Sequence, residues 1–202
     1  MKQSIRTVAN LRKLTYFVAL GSNLSAKGLS AGEILHAAVA RLRDFADVVS
    51  VSRQFRSPAF PPGSGPDFMN AAACLRSDLP PRDFLNELHG IEAAFGRQRK
   101  KRWAPRPLDL DVIACGQTVL PDVETWRHWK DLPLAAQRQE APTTMILPHP
   151  RMQERNFVLV PLMDIASEWR HPVLGRTISE FHADLSEEDR RSMVSVTDPG
   201  CQ

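Results

Sequence analysis

The 202-residue sequence lacks any apolar run of the ~18 residues that a membrane-crossing helix needs, so no segment of it reads as a membrane span. It is poor in cysteine. Cys74, Cys115 and Cys201 are scattered without C-x-x-C spacing, which excludes a disulfide framework and structural zinc and fits thiols in a reducing compartment. No G-x-x-x-x-G-K-[ST] loop is present, because Gly21-Ser22-Asn23-Leu24 has no Lys and Lys27-Gly28 has the wrong spacing. H-E-x-x-H and G-x-S-x-G are also missing, which removes the zincin and nucleophile-elbow classes. A net charge of +3 and a pI near 9.0 are too mild to imply nucleic acid. No repeat and no low-complexity tract occurs. What is abundant is proline, 16 residues, the mark of many rigid turns. With 43% hydrophobic and 24% charged residues the chain has ordinary globular usage, enough for one domain or two small ones.

Residues 1–14 carry Lys2, Arg6, Arg12 and Lys13, no acid and no continuous apolar stretch, and read as a flexible basic extension rather than a secretory or organelle signal. Residues 15–197 read as a single domain with a surface insertion at about 120–145. Thr15–Leu20 is a strand ending in the turn Gly21-Ser22-Asn23, and Ser30 with Glu33 forms a capping box ahead of a helix over 31–45. Val48–Phe55 is the next expected strand. The prolines at 58, 61, 62 and 66 make an irregular loop, and Phe68–Leu75 is a further strand. Pro80-Pro81 opens a helix whose inner stripe is Phe84, Leu88, Ile91 and Phe95, stopped at Gly96. A strand over Leu108–Ala114 follows. Val119–Met145 reads as surface chain of low helical content. Phe157–Ile165 is a buried helix with Pro161 in or near its first turn, and Thr177 with Glu180 caps a short helix. This order points to an α+β sandwich, helices on a mixed or antiparallel sheet, and not to a doubly wound parallel sheet.

The chemistry concentrates at Pro105–Val112, P-R-P-L-D-L-D-V. On a strand, Asp109 and Asp111 share a face with Cβ atoms roughly 6.5–7 Å apart, while Leu108, Leu110 and Val112 face the core. Two neighbouring carboxylates repel unless a cation lies between them or water screens them. Magnesium is commonly held by one or two carboxylates together with substrate phosphates. Immediately upstream, Arg97, Arg99, Lys100, Lys101, Arg102 and Arg106 occupy ten residues that contain no acid. Guanidinium forks suit phosphate oxygens, and phosphoryl transfer needs positioned cations above all. An exposed strand face would account for the aspartates alone, but not for their place at the end of this cluster.

These segments resemble one family. Tyr16–Leu24 (Y-F-V-A-L-G-S-N-L), Phe68-Met69-Asn70-Ala71-Ala72, Gly96-Arg97, Arg102-Trp103-Ala104-Pro105-Arg106-Pro107-Leu108-Asp109-Leu110-Asp111, and Leu147-Pro148-His149-Pro150 with Arg155 and Phe157 look like 6-hydroxymethyl-7,8-dihydropterin pyrophosphokinases, in the family's order. The resemblance implies a ferredoxin-like α/β sandwich and a monomeric cytoplasmic enzyme of folate biosynthesis. Such an enzyme moves pyrophosphate from ATP to the pterin hydroxymethyl, giving AMP, with two Mg²⁺ ions. It matches Asp109 and Asp111 to metal-binding aspartates, and Arg97 and Arg106 to arginines that assist transfer. His89, Glu92, Arg99, Lys100, Arg102, Trp103, His149 and Arg155 fall at ATP positions. Asn70 and Phe157, with Ser57, Pro58, Phe60 and Phe68, fall at pterin positions. A flat heteroaromatic ring suits an aromatic face, and its amide-like edge suits an Asn. Asp109 is the candidate to help remove the hydroxyl proton.

Three departures stand out. The Arg99–Trp103 loop is one residue short, Pro150 replaces an aromatic, and the long insertion lacks an Arg shortly before L-P-H. Arg127, His128, Lys130 and Arg138 are candidates to replace that contact. Two rivals compete with this reading. A nucleic-acid module would use the basic stretch and Trp103 but leaves the aspartates unexplained. Another metal-dependent phosphotransferase or a D-x-D glycosyltransferase leaves Asn70, Phe157 and L-P-H-P unexplained.

Overall fold

Alternation along one strand organises the molecule. In the computed structural model, which describes residues 13–59, 65–97, 106–133, 136 and 140–196, β1 (Leu14–Ser22) lies between β5 (Asp109–Cys115) and β4 (Phe68–Ser77). The other edge of β4 is shared by β2 (Asp47–Val51) and β3 (Gln54–Ser57), and β3 carries the edge strand β6 (Val194–Val196). Every pairing among these strands is antiparallel.

Tyr16, Val18 and Leu20 of β1 face the same side as Ala71, Ala73 and Leu75 of β4 and Leu110 and Val112 of β5. Two helices cover them. α1 (Ala31–Leu42) contributes Ile34, Leu35, Ala38 and Leu42, and α2 (Pro81–Ala94) contributes Phe84, Leu88 and Ile91. Tyr16 stacks on Phe84 at 3.8 Å and donates its hydroxyl to Leu79 O. Each such buried side chain stabilises by roughly 1.5–3 kcal/mol, so this layer is the main source of stability. α1 starts at the expected capping box and α2 at Pro80-Pro81; Gly96 follows α2 with a φ of +88°, the left-handed stop that glycine adopts without strain.

Among the described residues, helices cover one half of the opposite face. Phe17, Ala72, Cys74 and Ile113 lie beneath α4 (Asn156–Ala166) and α5 (Ile178–Asp184), packed against Val158, Leu159, Leu162, Ile178 and Phe181. α5 begins at the Thr177–Glu180 box, and α6 (Glu187–Arg191) follows it. Arg53 fixes α4 to the sheet edge, with its N–H, Nε and Nη2 all donating to Asp164.

Two expectations are corrected. The single strand over Val48–Phe55 is two strands, broken where Ser52 exchanges hydrogen bonds with the Ala72 backbone and Arg53 turns towards Asp164. Pro161 stands just past the first turn of its helix, which begins at Asn156, near where it was expected. The insertion is not surface chain of low helical content: Val123–Asp131 forms α3, N-capped by Asp122, and Trp126 is wholly buried. The strong polarity of the segment hid a helix that docks through one side chain. The expected basic extension, apart from Lys13 and Leu14, lies outside the described residues.

Candidate active site

The family motifs meet on the half of the second face that α4 and α5 do not cover. In register, Asn70 of β4, Gly21 of β1 and Asp109 of β5 form one row across three strands, with Ala72, Ala19 and Asp111 in the next. Along this face β1 shrinks from Phe17 to Ala19 to Gly21. A Cβ built on Gly21 would sit 3.8 Å from Phe68 Cδ1 and 3.9 Å from both Asn70 Oδ1 and Asp109 Cβ. Glycine therefore leaves a gap between an amide and a carboxylate two strand spacings apart, roughly 10 Å.

Asp109 is the charged centre. Arg97 Nη1 lies 2.5 Å from its Oδ1 and Arg106 Nη1 lies 3.1 Å from its Oδ2. Burial, and then the neighbouring Asp111, push its pKa up, while Arg106 and Arg97 pull it down; the balance is upward. A further positive charge would relieve that strain. Two hard carboxylates on one strand face suit Mg²⁺, and among the described residues no third His, Cys, Asp or Glu joins them. The donor set thus fits an ion that completes its shell with substrate oxygens and water.

Two motif residues hold this arrangement. Glu92, 1% exposed, accepts from the Leu110 N–H at 2.8 Å and is ion-paired with Arg97, so one carboxylate ties α2 to β5 and aims an arginine at Asp109. Taken by spacing alone, Glu92 reads as an ordinary solvent-facing helix residue; the structure buries it. Asn23 Oδ1 accepts from the Arg106 N–H at 2.8 Å, and its own N–H donates to Arg106 O. Asn23 escaped the sequence reading, although G-S-N was there to be noticed, because nothing local shows that a turn residue reaches 83 positions down the chain. Beyond Glu92 a cavity of about 140 Å³ is lined by His89, Glu92, Ala93 and Arg97.

On the far side of β5, His149 donates its N–H to Ile113 O, and its Nδ1 accepts from the Arg151 N–H. Burial, and then the positive charge of Arg155, hold the imidazole pKa well below the usual histidine range, and with Nδ1 accepting, the neutral ring is assigned its proton on Nε2. Arg155 Nη1 stands 3.3 Å from that nitrogen and 3.8 Å from Asp111 Oδ2. Two donors therefore face each other and call for a shared acceptor. The Arg155 guanidinium also lies 5.6 Å from the Phe157 ring centroid, a cation–π contact.

Asn70 is buried, and its Nδ2 donates to Ser57 Oγ at 2.9 Å and to Phe55 O. With the amino group used inwards, Oδ1 is the atom towards Gly21. Phe68 is half-buried at the head of β4, Pro58 is exposed, and Phe157 is 36% exposed at the start of α4, which is not a core packing position. Phe60, Arg99, Lys100, Arg102 and Trp103 lie outside the described residues, as does Arg138. Arg127 and His128 are exposed on α3, and Lys130 pairs with Asp131.

An antiparallel α+β sandwich that sets paired carboxylates among arginines on one sheet face has the chemistry to hold a cation and anionic groups together. The chain belongs to the 7,8-dihydro-6-hydroxymethylpterin-pyrophosphokinase (HPPK) family, whose model matches residues 17–167. It is 36% identical over 169 residues to a 2-amino-4-hydroxy-6-hydroxymethyldihydropteridine pyrophosphokinase of Pseudomonas aeruginosa, covering 83% of this chain and 89% of that one. It is 38% identical over 135 residues to the protein of the same name from Synechocystis, covering 67% of this chain and 58% of the relative. Among solved structures, a Plasmodium falciparum HPPK-DHPS variant superposes with a TM-score of 0.64 at 12% identity, covering 95% of this chain and 49% of that one. The last likeness bears on the fold alone. The expected family and α+β fold are borne out.

Among the described residues no helix is long and apolar enough to cross a membrane.

Proposed function

We propose that this protein transfers pyrophosphate from ATP to 6-hydroxymethyl-7,8-dihydropterin, releasing AMP and the pterin diphosphate for folate biosynthesis. The observation that carries this reading is the Asn70–Gly21–Asp109 row, which sets a buried amide and a phosphate-side carboxylate on one face with a glycine gap between them. Asn70 Oδ1 and Ser57 take the amide-like edge of the pterin, and Phe157, with Phe68, Pro58 and Phe60, takes its faces. Arg97 and Arg106, with Arg99, Lys100, Arg102 and Trp103, receive the triphosphate. His149 Nε2–H and Arg155 close on one nucleotide acceptor, which would resolve their donor-to-donor contact. His89 and Glu92 border the cavity on the nucleotide side.

Asp109 and Asp111 would hold two Mg²⁺ ions, which when bound neutralise charge on the triphosphate. The pterin hydroxyl oxygen attacks the β-phosphorus in line. A new oxygen–phosphorus bond forms as the bond from that phosphorus to the α,β-bridging oxygen breaks, and AMP leaves with the electron pair. Asp109 is the carboxylate placed to help take the hydroxyl proton. Most of the acceleration comes from holding two substrates in line and from fixed positive charge. We read the enzyme as a cytoplasmic monomer that uses no nucleic-acid partner.

The test is direct. Purified protein with ATP, Mg²⁺ and the pterin should release AMP in proportion to pterin consumed. ADP as product, or nucleotide turnover indifferent to pterin, would overturn the assignment.

A further inference from the structure

Trp126 heads the largest fully buried side chains among the described residues, yet it sits on a helix whose other residues are exposed or only partly buried. Its indole Nε1 donates to Pro148 O at 2.7 Å. The nitrogen of that same peptide unit, His149 N, donates to Ile113 O, also at 2.7 Å. One peptide plane is thus gripped at both ends, by α3 on one side and by the strand of Asp109 and Asp111 on the other. Leu120 and Leu147 exchange two further backbone hydrogen bonds and pin the start of the insertion to the same segment.

The indole is itself held. His171 lies against it with ring centroids 4.9 Å apart, and His171 Nδ1 accepts from the Val173 and Leu174 N–H groups. An indole fixed in this way can set the tilt of the peptide it touches. That tilt determines where the Cα–Cβ bond of the next residue, His149, points, and with it whether the imidazole meets Arg155 and the carboxylate of Asp111 beyond. A buried indole N–H needs an acceptor, and the one it takes here is the carbonyl of the peptide that carries His149.

We infer that Trp126 is a positioning residue for the nucleotide side of the site, its N–H orienting the Pro148–His149 peptide so that the imidazole stands beside Arg155. The inserted helix thereby acts on ATP through His149 and not through its own cations. The inference rests on the assignment of His149 to ATP.

The experiment replaces Trp126 by its benzothiophene isostere, which keeps the ring shape and removes the N–H; Trp126→Phe serves as a second variant, with thermal unfolding followed for both. The expected result is a rise of about fivefold in KM for ATP, the size of one hydrogen bond's net contribution, with KM for the pterin unmoved. Combined with His149→Ala, the isostere should add almost nothing to the effect of His149→Ala alone, because the two act in series. Long-range nitrogen–proton spectra should show the His149 ring signals displaced by the isostere and those of His36 and His182 unchanged. Unmoved His149 signals, or effects of the two changes that multiply in full, overturn the inference. A His149→Ala variant with native KM for ATP instead overturns the nucleotide assignment of His149, and the spectra then still decide whether the indole orients the ring.

Discussion

The two faces of the sheet use the same three strands to opposite ends. One presents Tyr16, Val18, Leu20, Leu75, Leu110 and Val112 to α1 and α2. The other presents Phe17, Cys74 and Ile113 under α4 and α5, then Ala19, Gly21, Asn70, Asp109 and Asp111 beyond those two helices. Since strand side chains alternate, the core residues Leu20 and Leu110 have Ala19, Gly21, Asp109 and Asp111 of the site as neighbours, and the backbone hydrogen bonds that hold one set hold the other. Stability and chemistry are therefore separable by face though not by element. A substitution one position along a strand should move one property and spare the other.

The sharpest break of that comparison is Asp109→Ala or Asp111→Ala. Turnover should fall by roughly 10³-fold or more with the melting temperature little changed, by AMP assay and calorimetry. Glu92 joins the faces, being buried beneath α2 while aiming Arg97 at the open side, so Glu92→Leu should cost about 4 kcal/mol in denaturant unfolding and lower turnover too. A loss of activity at full stability would separate the two roles.

Next in size is His171, buried against Trp126, Trp169 and Phe181, whose pKa burial depresses to about 4. Between that value and ~6.5 the unfolded chain takes up a proton that the folded one refuses, so stability is full above pH ~6.5 and declines as pH falls towards 4, by at most about 3 kcal/mol. His171→Asn, which offers an acceptor near the Nδ1 position, should flatten that slope in melts run across the window. A smaller effect is expected at Gly21→Ala: about tenfold in KM for the pterin, from a methyl group set in ordinary contact with Asn70 and Asp109. Least of all, Ser30→Ala should remove about 1 kcal/mol through the lost α1 cap and leave catalysis untouched.

Much of this was legible in the chain. The β-branched and aromatic run at Thr15–Leu20, the alternation in Leu108–Val112, the two capping boxes and the Gly96 stop depend on neighbours within a few residues, and each was readable where it stands. The aspartate pair and the arginines that meet at Asp109 were readable for the same reason. The contacts that bury Glu92 and that give Asn23 and Trp126 their roles were not. Their partners are Leu110, Arg106 and Pro148, brought close only by the sheet and by the docking of α3. The bend at Ser52–Arg53 was missed likewise, because its cause is Asp164 on a helix 111 residues away.

The diminishing series Phe17, Ala19, Gly21 has a consequence for anyone improving this protein. Glycine within a strand costs about 0.5–1 kcal/mol against alanine, and here an added methyl meets only ordinary contacts. A campaign that ranks variants by heat tolerance alone would therefore favour filling position 21, and would be rewarded with hardier molecules that have lost room for their substrate.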